Sequence, residues 1–331
     1  MKKLLIAIII LSIGCLPLLA EVFAKTGTAS LQFLKLGIDA RAIGMGEAYT
    51  ALSDDISSVY WNPAGLALKD ETQIFISHTN WVVDTYHEFL AFSTVTGMGY
   101  WALFASVFHT PPMDETTEET FGPTGRTFHF TNAAVGATYA NAFTDQFSFG
   151  ISGKYLHETI ADESLHSFSV DFGTQYNTNW RNTIIGMSLR NFGPDVEYNV
   201  KYEKGNASHN DNLAHIDKSG TPAKLPMNFS LGIATDLFRA DNQYLIGAAQ
   251  LDNCVDREET WNFGMEYNIS NFFLRGGYQL NYDAASYSFG FGVRVPISIA
   301  IMNIDYAYTD MGRLKEDFFT SAHRISLKMF F

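Results

Sequence analysis

From Gln73 to the C-terminus, large apolar residues alternate with small or polar ones, a period of two that belongs to a β-strand with unlike faces. In 147–155, Phe147, Phe149, Ile151 and Tyr155 share one face, while Ser148, Gly150, Ser152 and Lys154 share the other. Trp261, Phe263, Met265, Tyr267 and Ile269 oppose Asn262, Gly264, Glu266 and Asn268 in the same way. Tyr287, Phe289, Phe291, Val293 and Val295 oppose Ser288, Gly290, Gly292 and Arg294.

A soluble sandwich also alternates, with its apolar side on a core. Connection lengths separate the two architectures, because a membrane barrel joins its strands by short turns at one end and longer loops at the other. The pattern places about 14 strands, near 73–80, 87–96, 99–109, 126–143, 146–158, 166–177, 182–191, 227–236, 243–251, 260–269, 272–280, 286–295, 299–308 and 323–331. The long connections 110–125, 192–226 and 309–322 all follow odd-numbered strands, and the short ones at 144–145, 270–271 and 296–298 all follow even-numbered ones. A sandwich has no reason to obey that parity. The expectation is an all-β fold, an antiparallel transmembrane β-barrel over 70–331 with its long loops outside the cell.

The start of the chain agrees with export. Lys2 and Lys3 precede an apolar run from Leu4 to Ala20, and small-residue exits follow at Ala20 and Ala24, so 1–24 reads as a signal peptide. Gly14 and Pro17 interrupt the run, which falls short of the roughly 20 apolar residues of a spanning helix. Removing 1–24 leaves a chain more acidic than the formal charge of −13 for the whole, and an acidic exported protein is a poor nucleic-acid binder. Cys254 would then be the sole thiol, so no intramolecular disulfide is expected. Charged residues make up only 17% against roughly 25% in soluble domains, while Phe 27, Tyr 16 and Gly 26 are high, which favours strands and tight bends.

At the other end, Ile325, Leu327, Met329 and Phe331 occupy one face, and the chain stops on an aromatic residue. A terminal Phe after alternating apolar positions resembles the signal by which the barrel-assembly machinery recognises outer-membrane barrels. Phe331 is therefore a candidate assembly signal, and the cell outer membrane, with its lipid as partner, is the expected location.

Residues 25–69 do not alternate. They carry Gly37, then Ala40-Arg41-Ala42-Ile43-Gly44-Met45-Gly46, Asp54-Asp55, and Tyr60-Trp61-Asn62-Pro63-Ala64-Gly65-Leu66. This block closely resembles the N-terminal region of the PorV/PorQ family, outer-membrane barrels related to the FadL fatty-acid transporters. The latter share the Asn-Pro-Ala-Gly-Leu element and have a 14-stranded barrel with an N-terminal hatch. The resemblance implies that 25–69 is a plug, whose plain role is to fill a lumen too wide for side chains alone. Pro63 disfavours helix at Asn62 and Gly65 permits a positive φ, so Asn62 to Leu66 is expected to be a turn. Ser53, Asp54 or Asp55 would cap a short helix over 56–60. The Arg41 guanidinium needs carboxylate or carbonyl partners inside a barrel, with Asp54 and Asp55 the nearest in the plug.

Gly44-Met45-Gly46 follows no strand and opens no βαβ unit, so it is not a dinucleotide loop. The histidines lack metal spacing, no nucleophile motif is present, and neither an enzyme nor a cofactor is expected. Lys154, Asp171, Arg190, Glu266, Arg275, Arg294 and Asp305 are expected lumen charges. The likeness to PorV implies an accessory of type IX secretion that receives exported proteins by their C-terminal domains for surface delivery. The likeness to FadL implies instead a passive channel for hydrophobic small molecules such as long-chain fatty acids. The match lies nearer PorV/PorQ, which puts secretion first, and a purely structural barrel is a third class.

Overall fold

Inside a bilayer every backbone N–H and C=O needs a partner within the protein, so a sheet that spans lipid must leave no edge. The computed structural model, which describes residues 27–117, 120–161, 163–197, 222–282, 287–311 and 321–331, meets that demand by closure. The strands are β1 (Gln73–Asn80), β2 (Tyr86–Thr96), β3 (Gly99–His109), β4 (Met113–Thr117), β5 (Thr120–Phe128), β6 (Phe130–Thr144), β7 (Phe147–Ile160) and β8 (Glu163–Asn177). They continue as β9 (Ile184–Phe192), β10 (Asn228–Ala240), β11 (Gln243–Cys254), β12 (Thr260–Ile269), β13 (Phe272–Leu280), β14 (Tyr287–Ile297), β15 (Ala300–Asp310) and β16 (Ser321–Phe330). Fourteen of them form one closed antiparallel barrel, each beside its neighbour in sequence, with β16 returning to pair with β1.

β4 and β5 stand apart as a two-stranded hairpin in the connection between β3 and β6. The strand expected at 126–143 therefore merges two elements: its first residues end β5, and barrel pairing begins with β6. The expected parity of connections is present, with turns 97–98, 145–146, 241–242, 270–271 and 298–299 at one end and 110–129, 193–227 and 311–320 at the other. The turn between β7 and β8 is short although it lies at the long-loop end. These two strands run to Ile160 and from Glu163, so the hairpin itself supplies the projection. The expected leader, 1–24, and the loop segments 198–221 and 312–320 lie outside the described residues.

The outer surface shows where lipid begins. In adjacent registers near the long-loop end, outward positions carry His78, Glu88, His157 and His166, then Tyr86, His109 and His323. One rung deeper they become Ile76, Leu90, Val135 and Phe168, all exposed. Near the short turns, Phe143 stacks on Phe149 at 4.5 Å between centroids and Trp101 leans on Tyr139 at 4.8 Å. An apolar band between polar-aromatic girdles is the surface of a membrane barrel.

Most of residues 27–72 lie inside this wall. They contain a 3₁₀ turn (Gln32–Lys35), α1 (Ala40–Gly44), α2 (Ser58–Trp61) and a second 3₁₀ turn (Pro63–Leu68). Two of the expected local details differ. The helix begins at Ser58 rather than at 56; Ser57 stands at its N-cap without a side-chain capping bond, and Asp55 accepts from the Ser57 backbone N at 2.9 Å and from its hydroxyl at 2.5 Å. Gly65 is not at positive φ; it sits in the 3₁₀ turn, and a Cβ there would collide with the Ser53 carbonyl. Its glycine is required by close approach rather than by a left-handed backbone.

Candidate functional site

A plug with so little regular structure leaves many backbone groups without helix or sheet partners, and at membrane depth each must be satisfied by something fixed. The barrel wall supplies them from its inward polar positions. Gln250 Oε1 accepts from Tyr49 N at 3.0 Å and Thr50 N at 2.8 Å. Gln175 Nε2 donates to the carbonyls of Thr50 at 3.1 Å and Ser53 at 2.8 Å. Gln73 accepts from Ile56 N, Ser288 from Gly46 N and Ser326 from Ala40 N, at 2.8, 3.1 and 2.7 Å. None of these wall residues stands out in the sequence, although each falls on the polar side of an alternating strand.

The wall also gives way to the plug at glycines. A Cβ on Gly150 or Gly173 would strike the Asn62–Pro63 backbone and side chains, one on Gly264 the Met45 carbonyl, and one on Gly277 the Gly46 nitrogen. Gly150 and Gly173 are cross-strand partners, as are Gly264 and Gly277. Gly44 itself abuts the Gly290 backbone, and Gly46 combines φ 62 with this tight contact.

The plug motif is buried except at Arg41 and Asp54, which are partly buried. Gly37 packs against Ile43 and Trp61, and Trp61 donates its indole N–H to the Ile38 carbonyl at 3.1 Å. Asn62 caps the second 3₁₀ turn by accepting from Ala64 N at 3.2 Å, and its amide donates to the carbonyls of Thr50 and Thr174 at 2.9 and 3.1 Å. Pro63 takes the first position of that turn, where its missing N–H costs nothing. Leu66 joins Ile38, Val59, Phe75 and Phe89 in an apolar cluster between plug and wall. Met45 is fully buried in a second cluster with Ile43 and Tyr49.

Arg41 forms an ion pair with Asp54 at 2.7 Å, as the sequence suggests, and lies 3.6 Å from Asp55. Its main partner is one the sequence does not reveal: Glu266 on β12 takes two hydrogen bonds from it, at 2.9 and 3.1 Å. Glu266 also accepts from Arg275 at 2.7 Å, and Arg275 reaches Asp305 at 2.6 Å. Lys328 on β16 bridges Asp39 and Asp55 at 2.6 and 2.7 Å. Of the other expected lumen charges, Lys154 pairs with Asp171 at 2.8 Å, Arg190 covers the Tyr60 ring at 4.9 Å, and Arg294 donates to Asn303 at 3.3 Å. The ion pairs of Arg41 with Glu266 and of Lys328 with Asp39 and Asp55 thus tie plug to wall. Phe331 follows β16, half-exposed, and its N–H donates to the Thr72 carbonyl at 2.9 Å, extending the closing seam by one residue.

Above the plug, at the long-loop end, the first described residues and the wall line an open cavity of about 710 Å³. Leu31, Phe33, Leu36, Phe108, Phe130 and Ile160 make it largely apolar, and Asn132 and Glu158 give it a polar corner. The segment that forms its floor is anchored twice. Ser30 N donates to the Lys224 carbonyl at 2.9 Å, and Gln32 and Lys35 both donate to Asp256, in the turn after β11, at 2.8 and 2.9 Å. Burial works against the charge of Asp256, yet hydrogen bonds from Gln32, Cys254 and Lys35 hold its carboxyl below the ordinary value. Cys254, a strand-end filler, donates its thiol to Asp256 at 3.1 Å.

The profile of one protein family matches residues 20–330, the whole plug and barrel. The chain belongs to the uncharacterised protein family UPF0164. No curated protein matches it in sequence. Solved structures do match this UPF0164 member in shape. A Pseudomonas aeruginosa FadL homologue superposes with a TM-score of 0.55 at 12% identity, over 88% of this chain and 98% of that one. The Ralstonia pickettii toluene transporter TbuX gives 0.55 at 12%, over 88% and 97%. The CymD monoaromatic hydrocarbon channel gives 0.56 at 11%, over 89% and 96%. At such identities the likeness shows a shared fold: the UPF0164 chain is a 14-stranded FadL-like barrel around a short helical N-terminal segment.

Proposed function

We propose that this barrel sits in the outer membrane and admits hydrophobic small molecules, with the cavity above the plug as its binding site and the plug as its gate. The observation that carries this reading is the cavity. At about 710 Å³ it falls within the usual range of small-molecule sites, roughly 300–1,000 Å³, and it is apolar with a few convergent polar groups. It opens where plug and wall meet, so a bound molecule touches the element that must shift for passage. The structures similar in fold include a toluene transporter and a monoaromatic hydrocarbon channel by name.

The reading as a type IX secretion accessory is supported by the resemblance of 37–66 to PorV/PorQ. Nearly every residue of that block has a structural task here, in seating the plug against wall glycines and carboxylates, and such tasks suit a channel as well as a cargo receiver. The deciding experiment compares uptake of radiolabelled toluene and a long-chain alkane by cells with and without the protein. Uptake that depends on the protein is expected. Unchanged uptake, together with loss of surface delivery of exported proteins, would reinstate the secretion reading.

A further inference from the structure

The polar corner of the cavity offers acceptors. Asn132 on β6 and Glu158 on β7 are direct cross-strand partners, both inward and 2% and 4% exposed. The Asn132 amide lies beside the Glu158 carboxylate across the strand pair, and Asn132 Oδ1 is buried with no partner. Gln32, which also lines the space, has committed its amide to the Ala29 carbonyl and to Asp256. Among the described residues of the lining there is no lysine, arginine or histidine. Arg41 and Lys328 are engaged with Glu266 and Asp39 in the plug network below.

We propose that the cavity selects hydrophobic molecules whose polar end donates hydrogen bonds, an alcohol, a phenol or an amine, and turns away the carboxylates of fatty acids. This rests on the channel reading above and narrows it to a ligand class. A donor head reaches the orphaned Asn132 oxygen and the Glu158 carboxylate together, satisfying groups that an empty apolar ligand would leave unpaired. A fatty-acid carboxylate brings acceptors to acceptors and a negative charge to Glu158, so it must carry a proton in or be repelled. An unpaired buried acceptor is worth about tenfold or more in affinity, enough to rank ligands that share a tail.

The test uses the full mature barrel in amphipol and four probes with one tail: dodecanol, dodecylamine, dodecanoate and dodecane, each competed against a bound fluorescent hydrocarbon at neutral pH. Dodecanol and dodecylamine are expected to bind about tenfold or more tightly than dodecanoate, with dodecane between. Glu158→Gln should weaken dodecylamine and strengthen dodecanoate, leaving dodecane unchanged. Asn132→Leu should remove the advantage of dodecanol over dodecane. Retained heat-modifiable migration shows that each variant is folded, and the wild-type ranking stands alone if a variant is not. Dodecanoate binding as well as dodecanol, or a ranking unmoved in both folded variants, overturns the donor-head inference while leaving the channel reading intact. Failure of all four probes, dodecane included, removes the channel reading as well.

Discussion

Arg41 in the plug and Glu266 on β12 meet through two hydrogen bonds, at 2.9 and 3.1 Å, across a span of 225 residues. Glu266 is at the same time the acceptor for Arg275, so one carboxylate holds two guanidinium groups in place. Removing one partner from a buried pair costs roughly 3–5 kcal/mol, because the remaining charge is stranded. Glu266→Gln is therefore expected to loosen the plug, seen as new protease cleavage within 27–72 and as a lower temperature for the loss of heat-modifiable migration. A protease-resistant plug in that variant would show that Asp54 and Asp305 alone suffice.

Two adjacent glycines on β13 separate wall from plug. Gly277 faces inward, and a Cβ there would strike the Gly46 nitrogen; Gly276 faces outward, with open space around the same position. Gly277→Ala is expected to leave the barrel closed but displace the plug, raising ion conductance in planar bilayers. Gly276→Ala is expected to be silent. Equal conductance from both variants would place the gate elsewhere.

The anchor at Asp256 gives a pH dependence of known sign. Its carboxyl is held below the ordinary value by Gln32, Cys254 and Lys35, so its contribution is present above the unfolded value and lost as pH falls through the folded one. The window thus opens below about pH 4. Amide exchange at 31–36, corrected for intrinsic rates, is expected to rise there, and Asp256→Asn should show the raised exchange already at neutral pH. Exchange that is flat with pH and unchanged in the variant would mean that the Ser30–Lys224 bond fixes the segment by itself.

Phe331 extends the seam between the first and last strands. A Phe331→Asp variant is expected to reach the outer membrane at reduced level and to accumulate as a protease-sensitive periplasmic form, as judged by fractionation. Wild-type membrane levels would reduce this residue to an ordinary strand end.

Much of the wall was legible because alternation survives burial of either face. The expected bounds 73–80, 99–109, 260–269 and 272–280 coincide with β1, β3, β12 and β13. The misreading at 126–143 has a physical cause: Phe128 and Phe130 continue the period of β6, and a period of two does not reveal which sheet a residue pairs with. Within the plug, Arg41–Asp54 was readable from nearness in sequence, whereas Glu266, Gln175, Gln250 and Lys328 were not. The polar corner at Asn132 and Glu158 likewise exists only through the register of β6 on β7, which no local pattern encodes. Gly65 shows the reverse limit, since a glycine in the sequence does not tell whether the chain needs its freedom or its small size.

Lys328 gives the molecule an order of assembly. The strand that carries it is the last of the fourteen, and it meets Asp39 and Asp55, which precede the first. Until β16 docks on β1, those two aspartates have no lysine between them and Ala40 lacks the Ser326 hydroxyl that accepts its N–H. A barrel still open along this seam therefore holds its stopper without the Lys328 bridge, and the step that seals the wall is the same step that adds this last tie.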